Sequence, residues 1–591
     1  MQPTAADAAT PIVFDAAGSW CFGWFHRAAA PSRRAGVVMC RPLGFEAMCT
    51  CQTYAVLADT LARSGFDVLR FDYQGTGDSA GTDADPDRVA AWVASTVAAA
   101  RELARRAGIE RLSLFGVRMG ATLAVQAARE MGGVESLVLW APCVTGRAFT
   151  REMRAASAGS AQPPAGSQPG DIESLGFLYT AQTLHDLQQL DCTRIEAPPA
   201  RRALIVQRDD MPGESPLPAA WRDQGVEVTA EVLAGYSGMM VEPHKGVVEQ
   251  ASLDAIADWL LAAPPAPHAP ADERAIPVAC WPGRLPDGIR EAPLRFGPAQ
   301  SLFGILTEPP GDDADAVARR RTAILFLNVG HNYRIGPNRL YVHMARSLAA
   351  CGFRTLRFDL SGIGDSPGTS GPRKGNYYAK GSAVDVSAAI DRLETEGCTK
   401  FWLMGVCSGS FVAFQAALAD PRVSGQVLMN PRLLEWQDGA DEDMWQASMQ
   451  RHYKSTAFYR RELMRPQVYR RLLRGEVDVN GIAKRVGTVL EARLKRAVGR
   501  LLHRTPREES VLSQARRISA RGADTLLVMA ADDDGRDYIE YHFGQRGSRM
   551  AGDPGFRMMV VEGCDHTFSS RAGQRLLIET VRRHLEQKHA P

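Results

Sequence analysis

Long apolar runs are missing from this sequence. No stretch reaches the roughly 18 uninterrupted apolar residues that a membrane-spanning helix needs, so no transmembrane segment is expected. The first residues, MQPTAADAATPIVF, lack a basic segment followed by an apolar core, so they do not read as a secretory signal. A predominance of one charge is missing too. Lys and Arg total 69 against 67 Asp and Glu, a net charge of +2, which gives no general pull toward nucleic acid. Eleven cysteines are scattered without regular spacing and form neither a disulfide framework nor a zinc pattern. Cys49 and Cys51 stand too isolated to suggest a metal site. The expectation is a reduced, cytoplasmic protein with mostly buried thiols, needing no metal or cofactor.

What is present is length and repetition. A chain of 591 residues, 45% hydrophobic and 23% charged, is too long for one compact core and has an ordinary globular composition. Residues 66–81 read FDVLRFDYQGTGDSAG and residues 353–368 read FRTLRFDLSGIGDSPG. A second matching pair follows each, SLFGVRMG at 113–120 and FWLMGVCSG at 401–409. Two motifs in the same order at nearly the same spacing mean two copies of one domain. The Pro/Ala-rich stretch AAPPAPHAP (262–270) reads as a semi-rigid linker. The expected domains are therefore 10–262 and 276–591, joined by a linker over 263–275.

Each copy alternates strands with helices. AGVVMC (35–40) and TAILFLNVG (322–330) are continuous apolar runs, as buried strands of a parallel sheet require. TYAVLADTLARSG (53–65) and RLYVHMARSLAACG (339–352) read as helices ending at glycines suited to a left-handed cap. The glycines of the two FDxxGxGDS segments allow positive φ, and the aspartates cap or brace the turn. The alternation predicts a mostly parallel sheet with helices on both faces.

The second copy carries Gly405-Val406-Cys407-Ser408-Gly409 between a strand, FWLM, and an apolar helix, FVAFQAALA. With this strand–turn–helix motif the chain resembles the α/β-hydrolase superfamily, and within it bacterial serine-aminopeptidase-like and exosortase-associated hydrolases. The fold class so implied is α/β: two tandem α/β-hydrolase domains, each with a lid insertion. In the superfamily's G-x-S-x-G elbow, the two glycines let a strand turn sharply into a helix and expose the central side chain. Cys407 holds that central position and is the candidate nucleophile. A helix N-terminus and a nearby histidine would lower its thiol pKa from about 8.5. The first copy reads Gly116-Val117-Arg118-Met119-Gly120, and a guanidinium has no lone pair with which to attack a carbonyl. Arg118 either binds a carboxylate or phosphate or pairs with a local acid.

Superfamily order then requires an acid and a histidine after successive later strands. FRMMVVEGCDHTFSS (556–570) presents His566 as the base. TLLVMAADDDGRD (525–537) runs into Asp532, Asp533 and Asp534, of which the family spacing favours Asp534, with Asp533 next. The strand before offers no acid, having Asn430 instead. The resemblance implies an oxyanion hole from the N–H of Ser408 and that of Val329 or Gly330. His331 and Asn332 either line the pocket or form a polar loop tip. In the first copy, Asp209 and Asp210 remain, but Gly238 stands where a histidine would align, and His244 falls six residues later, assigned to the following helix.

An insertion over about 433–515 is expected to form a lid of amphipathic helices such as VLEARLKRAVGRLL (489–502). Its arginines and lysines, including Arg460, Arg461, Arg470, Arg471 and Lys484, form a collar for an anionic carrier, a membrane-surface contact or a solvated face. The first copy's lid (144–198) is shorter, with a mobile loop expected at ASAGSAQPPAGSQPGD (156–171). The function expected is acyl transfer on an ester or thioester, through a covalent acyl-cysteine, by a thioesterase, esterase or acyltransferase. The substrate is a small molecule or a carrier-bound acyl group, with coenzyme A or phosphopantetheine thioesters as candidates. The alternative is a non-catalytic tandem scaffold or binding protein.

Overall fold

The computed structural model describes residues 9–29, 31–157, 167–211, 213, 215–263, 283–311, 319–368, 381–435 and 510–589. The chain divides into two compact units. One is Met1–Arg321 with Gly330–Gly375 and Phe568–Pro591; the other is Thr322–Val329 with Asn376–Thr567. The larger unit thus holds the whole first copy together with parts of the second. Nearly all of the linker, the bulk of the second lid and the centre of the 156–171 loop lie outside the described residues.

In the larger unit, β1 (Thr10–Ala16), β2 (Ser19–His26), β3 (Ala35–Cys40), β4 (Asp67–Phe71), β5 (Arg111–Val117) and β6 (Ser136–Trp140) come first. They are followed by β7 (Ile172–Ser174), β8 (Phe177–Tyr179), β9 (Arg202–Gln207) and β10 (Glu227–Val232). Eight of them form one sheet in the order β1-β2-β4-β3-β5-β6-β9-β10. β1, β2 and β4 pair antiparallel, and every other pairing is parallel. The apolar run AGVVMC is buried throughout as β3, which is why it lacks a polar alternation. The helices Cys51–Arg63 and Leu340–Ala350 occupy the expected segments. Gly65 and Gly352, just past their ends, have φ of +90° and +92°.

The second copy begins in the same unit with β11 (Gly283–Arg284), β12 (Arg290–Phe296) and β13 (Leu302–Glu308), to which β15 (Arg354–Asp359) is added. These four pair antiparallel in the order β11-β12-β13-β15. The smaller unit is a parallel sheet in the order β14 (Thr322–Leu327), β16 (Lys400–Val406), β17 (Val423–Met429), β18 (Asp524–Ala530) and β19 (Phe556–Val561). Among the described residues, no helix is long and apolar enough to cross a membrane.

The larger unit has a charged core that patterning did not foresee. In each FDxxGxGDS segment the first aspartate braces its own turn: Asp72 accepts from the Asp78 N–H at 3.0 Å, and Asp359 from the Asp365 N–H at 3.0 Å. The second aspartate is traded between copies. Arg70 reaches Asp365 at 2.6 Å, and Arg357, its counterpart in β15, reaches Asp78. Arg334 joins Asp78, Asp359 and Asp365 at 2.7, 2.8 and 2.8 Å, with its guanidinium 4.4 Å from the ring centre of Phe303. Such ions tolerate burial only because each is paired several times over.

Candidate active site

The site in the smaller unit is built on the turn from β16 into the helix Ser408–Ala419. Cys407, between them, has φ 54° and ψ −114°, a left-handed conformation that a side-chain-bearing residue adopts only when its surroundings enforce it. The enforcing contacts are backbone. A Cβ on Gly405 would stand 2.2 Å from the Gly409 carbonyl carbon, and one on Gly409 would stand 2.6 Å from the Leu327 oxygen. Only glycine permits strand and helix to approach so closely. Arg118 in the first copy has nearly the same conformation, φ 54° and ψ −124°, so the elbow geometry survives there without a nucleophilic atom.

His566 follows β19, and its Nδ1 lies 2.5 Å from Asp533 Oδ2. The carboxylate facing the imidazole is therefore Asp533, where family spacing had favoured Asp534. The reason lies in the turn after β18. The other Asp533 oxygen accepts from the Gly535 N–H at 2.8 Å, which directs that side chain inward. Asp534 turns outward, about half exposed, to Arg432 at 3.2 Å. An ionised carboxylate only accepts, so Nδ1 carries the proton, and Nε2 is turned to other work. Nε2 is buried without a formed hydrogen bond among the described residues, a common condition of catalytic bonds before substrate arrives. Burial alone would lower the His566 pKa. The hydrogen bond to Asp533, the Cys407 thiol beside the ring and the negative charges of both groups outweigh it and raise the value to about 10.

Asn430, passed over in the sequence because it is not an acid, holds this histidine's loop. It ends β17 at φ 44°. Its Nδ2 donates to the His566 carbonyl at 2.8 Å and to that of Asp565 at 3.3 Å, and its Oδ1 accepts from the Ala530 N–H at 2.7 Å. One amide thus ties the His566 loop to β18, the strand that leads into Asp533. The signal available in sequence was only its position after the strand following the elbow.

Ser408 is buried at the start of the elbow helix, its hydroxyl 3.5 Å from the Asn328 carbonyl. Val329 belongs to the smaller unit, whereas Gly330, with φ +53°, belongs to the larger one. His331 lines a cavity of about 50 Å³ in the larger unit, with Met48, Cys49 and Tyr333 among its other walls. The ligand atoms of Asp533, Asp534 and His566 all lie within 4.8 Å of one another and could hold a cation; the hydrogen bond between His566 and Asp533 accounts for their closeness without one.

In the first copy, the elbow side chain is occupied by acids. Arg118 Nε bonds Glu46 at 2.9 Å, and Nη2 bonds Glu152. Of the two readings of Arg118, pairing with local acids is the one observed. Asp209 accepts from the Gly235 N–H at 2.9 Å, and Gly238 lies in a short helix, Tyr236–Met239. His244 is exposed in a turn and lies ahead of the helix Gln250–Leu261, not within it as the sequence predicts. The basic residues of the second lid fall outside the described residues.

Parallel α/β sheets with a strand–elbow–helix at corresponding places define the α/β-hydrolase class. The family pattern for alpha/beta hydrolases matches residues 324–577, and that for serine aminopeptidase, S33, matches residues 47–165. The chain belongs to the α/β-hydrolase superfamily, a superfamily of hydrolases, and carries two tandem domains of it. No curated protein matches the chain. Among solved structures, Est1E from Butyrivibrio proteoclasticus with bound ferulic acid is 14% identical with a TM-score of 0.35, over 42% of this chain and 98% of that one. XC6422 from Xanthomonas campestris, an α/β serine hydrolase without a lid, is 15% identical at a TM-score of 0.28, over 45% and 100%. Proline iminopeptidase from Mycobacterium smegmatis is 14% identical at 0.30, over 43% and 98%. Each of these three structures spans less than half of this chain.

Proposed function

We propose that the second domain transfers acyl groups from esters or thioesters through a covalent acyl-cysteine on Cys407. The observation that carries this reading is the arrangement of Cys407 on a strained elbow, His566 beside it and Asp533 on the far ring nitrogen. A histidine that keeps its proton well above neutral pH favours a thiolate next to it, and the thiolate is the attacking form.

In the first half-reaction the Cys407 sulfur attacks the acyl carbonyl, and a tetrahedral oxyanion forms. The backbone N–H groups of Ser408 and Val329, with Gly330 the alternative to Val329, are the proposed oxyanion donors. The bond to the leaving alkoxide or thiolate then breaks, and that group takes the proton from His566 Nε2. In the second half-reaction, His566 Nε2 accepts a proton from water or another acceptor, which attacks the thioester and expels the Cys407 thiolate. Asp533 holds the ring in the required tautomer throughout. Capture of an acyl group from one thioester to another is nearly isoenergetic, so thioester substrates suit a cysteine better than amides do. The first domain, lacking nucleophile and base, takes no covalent part.

Intact-mass analysis of the full chain with p-nitrophenyl acetate and acetyl-coenzyme A tests this. The expected result is a single acetyl adduct, absent in Cys407→Ala, and selective alkylation of Cys407 by iodoacetamide at neutral pH. A chain that neither acylates nor alkylates there would establish the scaffold alternative.

A further inference from the structure

The larger unit holds a cavity of about 60 Å³, several times the roughly 10–15 Å³ that a cavity needs to admit one water molecule. Leu43, Trp92, Phe177 and Tyr179 supply much of its apolar lining, and Arg339 and His343 bring polar groups to it. Arg339 is buried. Its Nε donates to the Gly77 carbonyl at 2.8 Å, Nη1 to those of Gly75 and Gly81 at 2.8 and 2.9 Å, and Nη2 to that of Ser79 at 2.5 Å. Those bonds use four of its five N–H groups. Carbonyl oxygens satisfy hydrogen bonds but do not neutralise a charge, and among the described residues no carboxylate pairs with Arg339.

The two acids on the cavity wall are committed elsewhere. Asp83 accepts from Arg571 at 2.7 Å and from the Leu178 N–H at 3.0 Å. Asp72 accepts from Arg41 at 2.5 Å and from the Asp78 N–H. The other arginines on the wall are engaged as well: Arg41 also donates to the Ala47 carbonyl, and Arg88 donates to the carbonyls of Gln74, Thr82 and Pro86. The His343 imidazole has no hydrogen-bond partner among the described residues. Burial, then the charge of Arg339, lowers its pKa to about 3, so it is a neutral ring offering one N–H. The backbone there is strained as well. Asn338 and Arg339 are consecutive non-glycine residues at φ 46° and 65°, a conformation that concentrates at ligand clamps.

We propose that this cavity binds a small carboxylic acid with an aryl or branched-alkyl body. The carboxylate accepts from the remaining Arg339 N–H and from His343, which gives the buried guanidinium its missing counter-charge. The body packs on Phe177, Tyr179 and Trp92. This site uses no residue of the proposed acyl-transfer reaction.

Calorimetric titration of the full chain with 3-phenylpropionate and isovalerate is the test, with 3-phenylpropionamide as the uncharged control. The expected result is saturable one-site binding of at least one acid, with the amide weaker by tenfold or more. His343→Leu and Phe177→Ala each weaken the acid by about tenfold without changing the circular dichroism spectrum. Cys407→Ala leaves the titration unchanged, which separates this cavity from the acyl-transfer site. Arg339→Lys abolishes binding; because Arg339 also grips residues 75–81, the His343 and Phe177 variants decide the matter if that protein unfolds. No saturable binding of either acid at millimolar concentration, equal binding of acid and amide, or unchanged binding in folded His343→Leu overturns the proposal.

Discussion

Arg357 gives the sharpest test of how the larger unit is held together. It is fully buried, bonding Asp78 and lying 3.2 Å from Glu291. Burial pushes the Asp78 carboxyl up, but Arg334 and Arg357 outweigh it and hold the group below its ordinary range. Arg357→Met removes the charge while keeping an apolar stem of similar length. Asp78 then retains Arg334 at 2.7 Å, and Glu291 retains Arg346 at 2.6 Å. Removing one partner of a buried pair costs about 3–5 kcal/mol, and the surviving guanidiniums place this variant near the lower end. Asp78→Asn should cost a similar amount. In the double variant both charges leave together, so its loss should fall short of the sum by about 1–3 kcal/mol. Urea unfolding of the full chain, followed by circular dichroism, reads this directly. With a slope of a few kcal/mol per molar, each single variant should lower the midpoint by roughly 1 M. Additive midpoint shifts, or no measurable shift in Arg357→Met, would refute a cooperative ionic core.

The two neighbouring acids of the active site should separate cleanly. Asp533→Asn should slow Cys407 acylation about 10²- to 10⁴-fold, because the amide no longer fixes the His566 tautomer; Asp534→Asn, altering a half-exposed group, should leave the rate almost unchanged. A drop confined to Asp534→Asn in stopped-flow acylation would reverse the assignment. Acidification should destabilise the chain through three histidines, one buried and two partly buried. Burial lowers His26, and it takes His343 and His542 to about 3 and about 4. The unfolded chain therefore binds protons near pH 6.5 that the folded chain refuses. Their contribution is complete above pH 6.5 and falls as pH drops below it, at up to about 1.4 kcal/mol per pH unit for each group. Urea midpoints between pH 7.5 and 5 should fall accordingly, with a shallower decline in His343→Leu; a flat profile would contradict this.

The sequence made some parts of the site legible and left others opaque, for identifiable reasons. The elbow was readable because its geometry requires residue types: Gly405 and Gly409 meet backbone at distances no side chain survives. His566 was readable because the strand before it, FRMMVV, is mostly apolar and is followed two residues on by Gly563. The acid was not, because Asp532, Asp533 and Asp534 differ only in direction. That direction is set by one hydrogen bond, from the Gly535 N–H to Asp533, which spacing does not encode. Asn430 was opaque for a related reason. Read as a candidate acid it fails, and its actual contacts, with a loop over a hundred residues later in the chain, leave no local trace. The strand and helix segments were legible wherever their burial is continuous, as in β3 and β18.

The paired FDxxGxGDS segments show how a repeat can be read correctly one copy at a time and still be incomplete. Bracing by aspartates is true of Asp72 and Asp359, and within one copy nothing more would be needed. Duplicated surfaces, however, can bind each other by reciprocal exchange, residue i meeting j while j meets i. Arg70 with Asp365 and Arg357 with Asp78 are such an exchange. It gives Arg70 and Asp78 of the first copy partners in the second, independent of the Arg118 that stands at the first copy's elbow. Burial of Arg334 and Arg357 makes its own demand there, since Asp78 is the one carboxylate that both guanidiniums share. The first domain is accordingly required for the stability of the second copy's early strands. Asp78→Asn should therefore weaken a protein whose every proposed catalytic residue lies in the other domain.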